Sequence, residues 1–328
     1  MPQNIIGGLR SAPCIKRYPE PVLSAKDVPY KAALVFNAGV TKFQGRYVMV
    51  FRNDYGSLEE QRLEGTNCGL AFSDDGIKWE VQPEPCFVLA DEEIIRAYDP
   101  RLTVIDGRCY MCFAVDTRHG LRGGIAVTDD FYNYEILSMT LPDNWNMVLF
   151  PELINGMYFR LERPFPVYSR GGGEKFDVWC SDSPDLRYWG NSRLVLGLEQ
   201  VPYCNSKIGP AAPPIKTEKG WLTTLHTVDF DPSRGKNGWE AIWQKRYCAG
   251  LMLLDLEDPS KVIGLSRQPL LAPEAPYELD GFRGNAIFPG GMILEDDGEV
   301  KIYYGAGDTV EALATAHVDD LLALCEPV

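Results

Sequence analysis

Short apolar runs alternating with polar positions recur along the chain, each introduced by a glycine-bearing turn. The first reads Phe43-Gln44-Gly45-Arg46 as the turn, Tyr47-Val48-Met49-Val50-Phe51 as a strand and Arg52-Asn53-Asp54 as its polar end. A partner strand, Gly69-Leu70-Ala71-Phe72, then runs into Ser73-Asp74-Asp75-Gly76 and Lys78-Trp79-Glu80-Val81. Period-two alternation bounded by turn residues predicts paired antiparallel strands.

The same grammar returns four more times. Core strands Cys109–Val115, Met157–Leu161, Trp221–Leu225 and Val300–Tyr304 follow turns at Gly107, Gly156, Gly220 and Gly298. Five units of unequal length but equal order predict an all-β chain folded as a five-bladed β-propeller. No long Gly- or Ser-rich linker interrupts the pattern, and Gly171-Gly172-Gly173 is too short to be one. Residues 1–328 are therefore read as a single domain.

Each unit also has a leading segment, such as Ala33–Val40 and Asp99–Ile105. Asn37 stands eight residues before Gly45, and Asp99 stands eight before Gly107. Both should occupy equivalent places on innermost strands, beside the propeller axis. Proline restricts its predecessor to extended backbone, so Asp99 before Pro100 is expected at a strand entrance with a usable carboxylate.

Composition narrows the partners. The 31 Gly, 24 Pro and 37 aromatic residues (7 Trp, 16 Tyr, 14 Phe) suit a turn-dense β protein. A net charge of -14 makes nucleic acid and anionic membranes poor partners, and no apolar run is long enough for a membrane span. Nine scattered cysteines and the lack of a signal-peptide pattern in Met1–Cys14 suggest reduced thiols and a cytoplasmic protein. Cys109 and Cys112 form a C-x-x-C pair inside a strand, where residues three apart face opposite sides; a zinc or redox site is not expected there.

The strand ends carry the candidate chemistry. Arg52-Asn53, Asp116-Thr117-Arg118, Arg163, His226 and Asp308 fall at one topological level, where inner strands converge. A scaffold needs no such polar sets. Taken with Tyr98-Asp99-Pro100-Arg101-Leu102-Thr103, Arg163-Pro164-Phe165, Asn205-Ser206-Lys207-Ile208-Gly209 and Leu225-His226-Thr227, the chain resembles glycoside hydrolase family 130, the inverting β-mannoside phosphorylases, from about Asn37 to Thr309.

That resemblance implies a five-bladed propeller that cleaves a non-reducing terminal β-1,4-mannosyl residue with inorganic phosphate, giving α-D-mannose 1-phosphate. It implies Asp99 as general acid, acting through the sugar's 3-hydroxyl, and Arg163, Lys207 and His226 around phosphate. Arg52, Asn53, Tyr98 and Asp308 are the expected mannose contacts, although Asp308 in Gly305-Ala306-Gly307-Asp308-Thr309 also reads as a turn residue. An inverting hydrolase needs two carboxylates; a phosphorylase replaces the second with a cationic cradle for phosphate. Phosphate is then a co-substrate, and neither cofactor nor metal is expected. Tyr98 stands where many family members carry an acidic residue, which points toward enzymes of β-1,4-mannooligosaccharides. Phosphorolysis of 4-O-β-mannosyl-glucose, hydrolysis using Asp116, Glu152 or Asp308, and a non-catalytic carbohydrate-binding propeller remain open. A homo-oligomer is expected by the same resemblance.

Other signals fail on their chemistry. Asp229-Phe230-Asp231-Pro232-Ser233 with Glu240 mimics a calcium loop, but Arg234 replaces the required glycine, so it reads as a loop over the site. Gly171–Lys175 lacks phosphate-loop spacing, and no G-x-S-x-G elbow occurs. Ser73–Trp79 resembles the aspartate-box hairpin and is read as turn chemistry. Trp145, Tyr203, Trp239 and Trp243 lie in long loops, where packing is the commoner fate.

Overall fold

The structure, a computed structural model, describes residues 8–170, 175–235, 238–239 and 243–328. Gly171-Gly172-Gly173 and Glu240 lie outside the described residues. The strands form five antiparallel blades around one axis. Blade 1 comprises Leu34–Phe43, Arg46–Ser57, Arg62–Ser73 and Glu80–Val81, in order from the axis outward. Blade 2 comprises Ile94–Ile105, Arg108–Thr117, Gly120–Thr128 and Glu135–Met139. Blade 3 runs Asn144–Leu149, Tyr158–Pro164, Val178–Ser183 and Gly190–Leu196.

Blade 4 is built on Gly220–Phe230, Lys245–Leu254 and Val262–Ser266, with Lys207–Pro210 and Ile215–Thr217 on its inner side. Blade 5 comprises Ile287–Leu294, Glu299–Ala306 and Val310–His317. The chain ends close the ring. Lys16–Arg17 pairs with Val310–His317 as the outermost strand of blade 5, and Cys325–Glu326 extends blade 4. Two-residue strands at the termini carry too little alternation to be legible in sequence.

Among the described residues, five of the six apolar clusters hold the ring, one between each pair of neighbouring blades. Val50 and Leu70 meet Leu102 and Met111 between blades 1 and 2, and Ile125 and Val127 meet Met147 and Leu149 between blades 2 and 3. Phe150 and Leu161 meet Trp221 and Met252 between blades 3 and 4, and Leu251 meets Ile302 between blades 4 and 5. Val40 and Met49 meet Ile293 and Tyr303 between blades 5 and 1. Each blade therefore buries both faces, and its central strands bury polar residues such as Arg160, Glu162 and Thr223 beside the apolar ones. Cys109 and Cys112 fall into the first and second of these clusters, on opposite faces of one strand.

The turn chemistry of Ser73–Trp79 proves to be a repeated device. In three blades a hydroxyl caps the turn, Ser73 accepting from Gly76, Thr128 from Phe131 and Ser183 from Leu186, each at 2.8 Å. Asp75, Asp130 and Asp185 then accept two backbone N–H groups apiece. These turns face away from the site and carry no catalytic group. Among the described residues no group of three or more His, Cys, Asp or Glu is placed to hold a metal ion, and no helix is long and apolar enough to cross a membrane.

Candidate active site

The inner strands of blades 1, 2 and 3 share one irregularity. Opposite Phe36–Gly39, Tyr98–Arg101 and Trp145–Val148 the register slips by one residue, as a β-bulge. Asn37, Asp99 and Asn146 take left-handed backbone there, with φ of 52°, 53° and 50°. Asn and Asp are the side-chain-bearing residues that best tolerate this region. Asp99 is thus not the extended residue at a strand entrance that Pro100 predicts. It sits mid-strand, and the bulge overrides the proline's preference at a cost of about 1–3 kcal/mol. What the strain achieves is aim. Gly39 makes room for the bulge, since a Cβ there would meet the backbone of Pro100, Arg101 and Leu102 at 2.9 Å.

Asp99 Oδ1 accepts from Asn37 Nδ2 at 3.0 Å and from Arg52 Nη1 at 3.3 Å. Arg52 is itself locked by Asp54, through Nε at 2.9 Å and Nη2 at 2.6 Å, and its guanidinium lies over the rings of Phe36 and Tyr98. Thr66 donates to Asp54 at 2.6 Å. Tyr98 donates to Asp116 at 2.6 Å, and Arg96 binds the other oxygen at 2.7 Å. Glu311 supports the arrangement from within blade 5: its Oε2 accepts the Ala38 N–H at 3.0 Å, and its Oε1 is buried without a partner among the described residues. Burial pushes the Glu311 carboxyl up to about 8.

Opposite lies a different environment. Arg163, at the end of a blade 3 strand, is 3% exposed and has no carboxylate partner among the described residues. Its Nη1 donates to His226 Nε2 at 3.0 Å, while its Nε is buried without a partner among the described residues. Burial pulls its guanidinium down to about 10. His226 is fully buried, and desolvation with the Arg163 charge holds it well below its ordinary range. The neutral ring donates Nδ1–H to the Pro210 carbonyl at 3.2 Å, because Nε2 must accept from an arginine that can only donate. Gly209 permits this contact, since a Cβ there would lie 2.2 Å from the His226 ring.

Lys207 joins Arg163 over the single ring of Phe176, at 4.6 and 4.9 Å from its centroid. Burial, then Arg163, Lys245 and Arg283, lower the Lys207 ammonium to about 7. Both walls face one cavity of about 450 Å³, lined by Asn37, Arg52, Tyr98, Asp99, Arg163, Lys207, Lys245, Arg283 and Asp308 among others. It is concave, polar and of ligand size. An acid on one wall and desolvated cations on the other suit displacement by an anion at a carbon between them.

The family model described as beta-1,4-mannooligosaccharide phosphorylase matches residues 13–327. The chain belongs to glycoside hydrolase family 130. It is 32% identical to the beta-1,4-mannooligosaccharide phosphorylase of Ruminococcus albus, over 92% of this chain and 88% of that one. It is 31% identical to the 1,2-beta-oligomannan phosphorylase of Thermoanaerobacter sp., over 92% and 96%. The solved structure of beta-1,2-mannobiose phosphorylase from Listeria innocua in complex with beta-1,2-mannobiose superposes with a TM-score of 0.80, at 27% identity, covering 94% of this chain and 98% of that one.

Within this family 130 chain, six of the eight residues expected at the site line the cavity: Asp99, Arg163, Lys207, Arg52, Tyr98 and Asp308. Asp308 is turn residue and site residue at once, with φ of 48° and its carboxylate 3.4 Å from Arg283. Burial pushes that carboxyl up to about 6.

Two of the eight expected site residues are placed differently. Asn53 does not reach the cavity; strand neighbours face opposite sides, so with Arg52 inward Asn53 is buried and donates to Lys31 and Asn67. His226 is not a cation at the cavity but the neutral support behind Arg163. Asp229, the first residue of the expected loop, instead lies within a blade 4 strand that ends at Phe230, clamped by Arg234 and Arg246 at 2.7 and 2.8 Å.

Sequence reasoning missed Lys245, Arg283, Arg96 and Tyr247 among the lining residues. Lys245 and Tyr247 start a blade 4 strand two residues apart, a same-face spacing that was available as a signal. Arg283 lies in an irregular connection and offered none.

Proposed function

We propose that the protein is an inverting phosphorylase acting on the non-reducing terminal β-1,4-mannosyl residue of mannooligosaccharides. The products are α-D-mannose 1-phosphate and an oligosaccharide shortened by one unit. A phosphate oxygen, held by Arg163 and Lys207, forms the new bond to C1 as the C1–O bond to the leaving sugar breaks on the opposite face. Asp99 supplies the proton that the leaving oxygen needs, relayed through the 3-hydroxyl, and Asn37 and Arg52 hold its carboxyl at Oδ1. Tyr98, Arg52 and Asp308 contact the mannosyl ring. The reading requires no cofactor; phosphate is the second substrate.

One observation carries it. Arg163 and Lys207 are desolvated side by side, and neither has a carboxylate partner among the described residues. Burying cations in this way is costly unless an anion completes them. Hydrolysis would instead need a carboxylate on that wall. Asp116 is held by Tyr98 and Arg96 on the acid wall, Asp308 sits against Arg283, and Glu152 pairs with Lys216 outside the cavity.

The β-1,4 linkage follows the family's description and the Ruminococcus albus relative, whereas other relatives are named for β-1,2 linkages. The test is product analysis with β-1,4-mannobiose, β-1,2-mannobiose and 4-O-β-mannosyl-glucose, each with and without phosphate. Mannose 1-phosphate from the β-1,4 disaccharide, formed only with phosphate, is expected. Free mannose at an equal rate in phosphate-free buffer overturns the reading.

A further inference from the structure

A second concavity, about 880 Å³, lies on the same end of the propeller as the catalytic cavity. Its place follows from register. Lys16–Arg17 pairs antiparallel with Val310–His317, Arg17 opposite Ala314, so the chain leaves that strand at the Val310 end. Leu23 then bridges Glu311. Residues 18–27 therefore cross blade 5 at the end that carries Asp308. The groove lies between this segment and residues 275–277, and reaches Leu58 and Thr309. Thr309 follows Asp308 directly, and Leu58 shares a hairpin with Leu63, so on two elements groove and cavity are neighbours.

Resting on the proposed phosphorolysis, we infer that this groove holds the reducing-end units of a β-linked mannooligosaccharide whose terminal residue occupies the catalytic cavity. Inversion places the nucleophile and the leaving group on opposite faces of C1. With phosphate at Arg163 and Lys207 on blades 3 and 4, the leaving chain departs toward the wall made by blades 5, 1 and 2, the side on which the groove lies.

Tyr18 and Tyr277 offer ring faces for the C–H surface of a pyranose. Glu20, Lys26 and Asp27 along one edge offer partners for its hydroxyls. The groove is also rigid. Pro19, Pro21 and Pro276 stiffen the walls. Tyr277 donates to the Tyr18 carbonyl at 3.1 Å, tying the two sides together. Arg17 anchors the base of the segment on Glu278 at 2.8 Å and on Glu274 at 3.0 Å. Asp27 accepts from the Ser24 N–H and hydroxyl, both at 2.8 Å. A groove held open this way spends little entropy on ordering when a chain binds.

The experiment compares kcat/KM for phosphorolysis of mannobiose and mannopentaose, in both linkages, for wild type, Ala25→Trp and Leu58→Asp. Ala25 and Leu58 line the groove and touch neither the acid nor the cations. Wild type is expected to favour the longer chain by roughly threefold to tenfold, the effect of one or two stacked rings. Both variants should lose that preference and keep the mannobiose value. Equal kcat/KM for both lengths in wild type, or an equal loss on both lengths in the variants, overturns the inference.

Calorimetric titration of the same proteins with mannopentaose separates this from the reading beneath it. If no disaccharide is phosphorolysed, the proposed function fails. The groove then stands or falls on whether wild type binds mannopentaose more tightly than Ala25→Trp does.

Discussion

The two walls of the catalytic cavity are built on opposite principles. On the wall of blades 1, 2 and 5, charges are satisfied: Arg52 by Asp54, Asp116 by Tyr98 and Arg96, Asp99 by Asn37 and Arg52. On the wall of blades 3 and 4, Arg163 and Lys207 rest on aromatic faces and a neutral histidine. The first wall is complete without substrate and so fixes geometry. The second is incomplete without an anion and so sacrifices stability for binding. Removing a charge should therefore have opposite consequences on the two sides.

The largest effect is expected from Asp99→Asn. It should lower kcat by about 10²–10⁴, the range of a lost general acid, and leave the melting temperature close to wild type. Initial rates of mannose 1-phosphate release measure it. A fall below tenfold would remove Asp99 from the proton path.

Next comes the contrast between the walls. Arg52→Met strands the buried Asp54 carboxylate and should destabilise the fold by about 3–5 kcal/mol. Arg163→Met removes an uncompensated buried cation and should raise stability by about 1 kcal/mol, while raising KM for phosphate roughly a hundredfold. Urea unfolding of both variants checks the signs. Matching destabilisation would erase the distinction.

Glu311 gives a smaller effect, with its sign set by linkage. Its folded carboxyl titrates at about 8 against an ordinary 4.5. Between those values the folded state holds the extra proton, so stability falls as pH rises. Glu311→Gln should flatten that slope and add on the order of 2 kcal/mol at pH 8. Thermal unfolding from pH 5 to 8 reads it.

The smallest expected effect is on Lys207. Burial, then the Arg163 charge, lower its pKa to about 7 from an ordinary 10.5, so its charge is lost as pH rises through that value. KM for phosphate should then climb by up to about tenfold per pH unit. Lys207→Arg keeps its charge and should shift the climb to higher pH. A pH series of phosphate saturation curves at fixed mannooligosaccharide concentration tests both.

The repeat was legible because five core strands follow five turns at constant order, and the equivalence of Asn37 with Asp99 was legible because both stand eight residues before a turn glycine. The bulge at both was not. Proline argued for extended backbone at Asp99, and only the packing of inner strands against one another shows why left-handed geometry wins. Asn53 and His226 were misplaced because sequence marks the level of a residue along a strand more clearly than the face it presents. The Lys16–Arg17 and Cys325–Glu326 strands are too short for any pattern. Arg283 reaches the cavity from a connection with no periodicity at all.

The uncompensated pair of cations is the centre of the account, and phosphate-dependent stabilisation tests it most directly. Thermal unfolding would be followed while inorganic phosphate is titrated into wild type, Asp99→Asn and Arg163→Met. A ligand that binds only the folded state raises the melting temperature as its concentration passes the dissociation constant. The expected result is the same rise in wild type and Asp99→Asn, absent from Arg163→Met. An equal rise in all three proteins, or none in wild type, would contradict it.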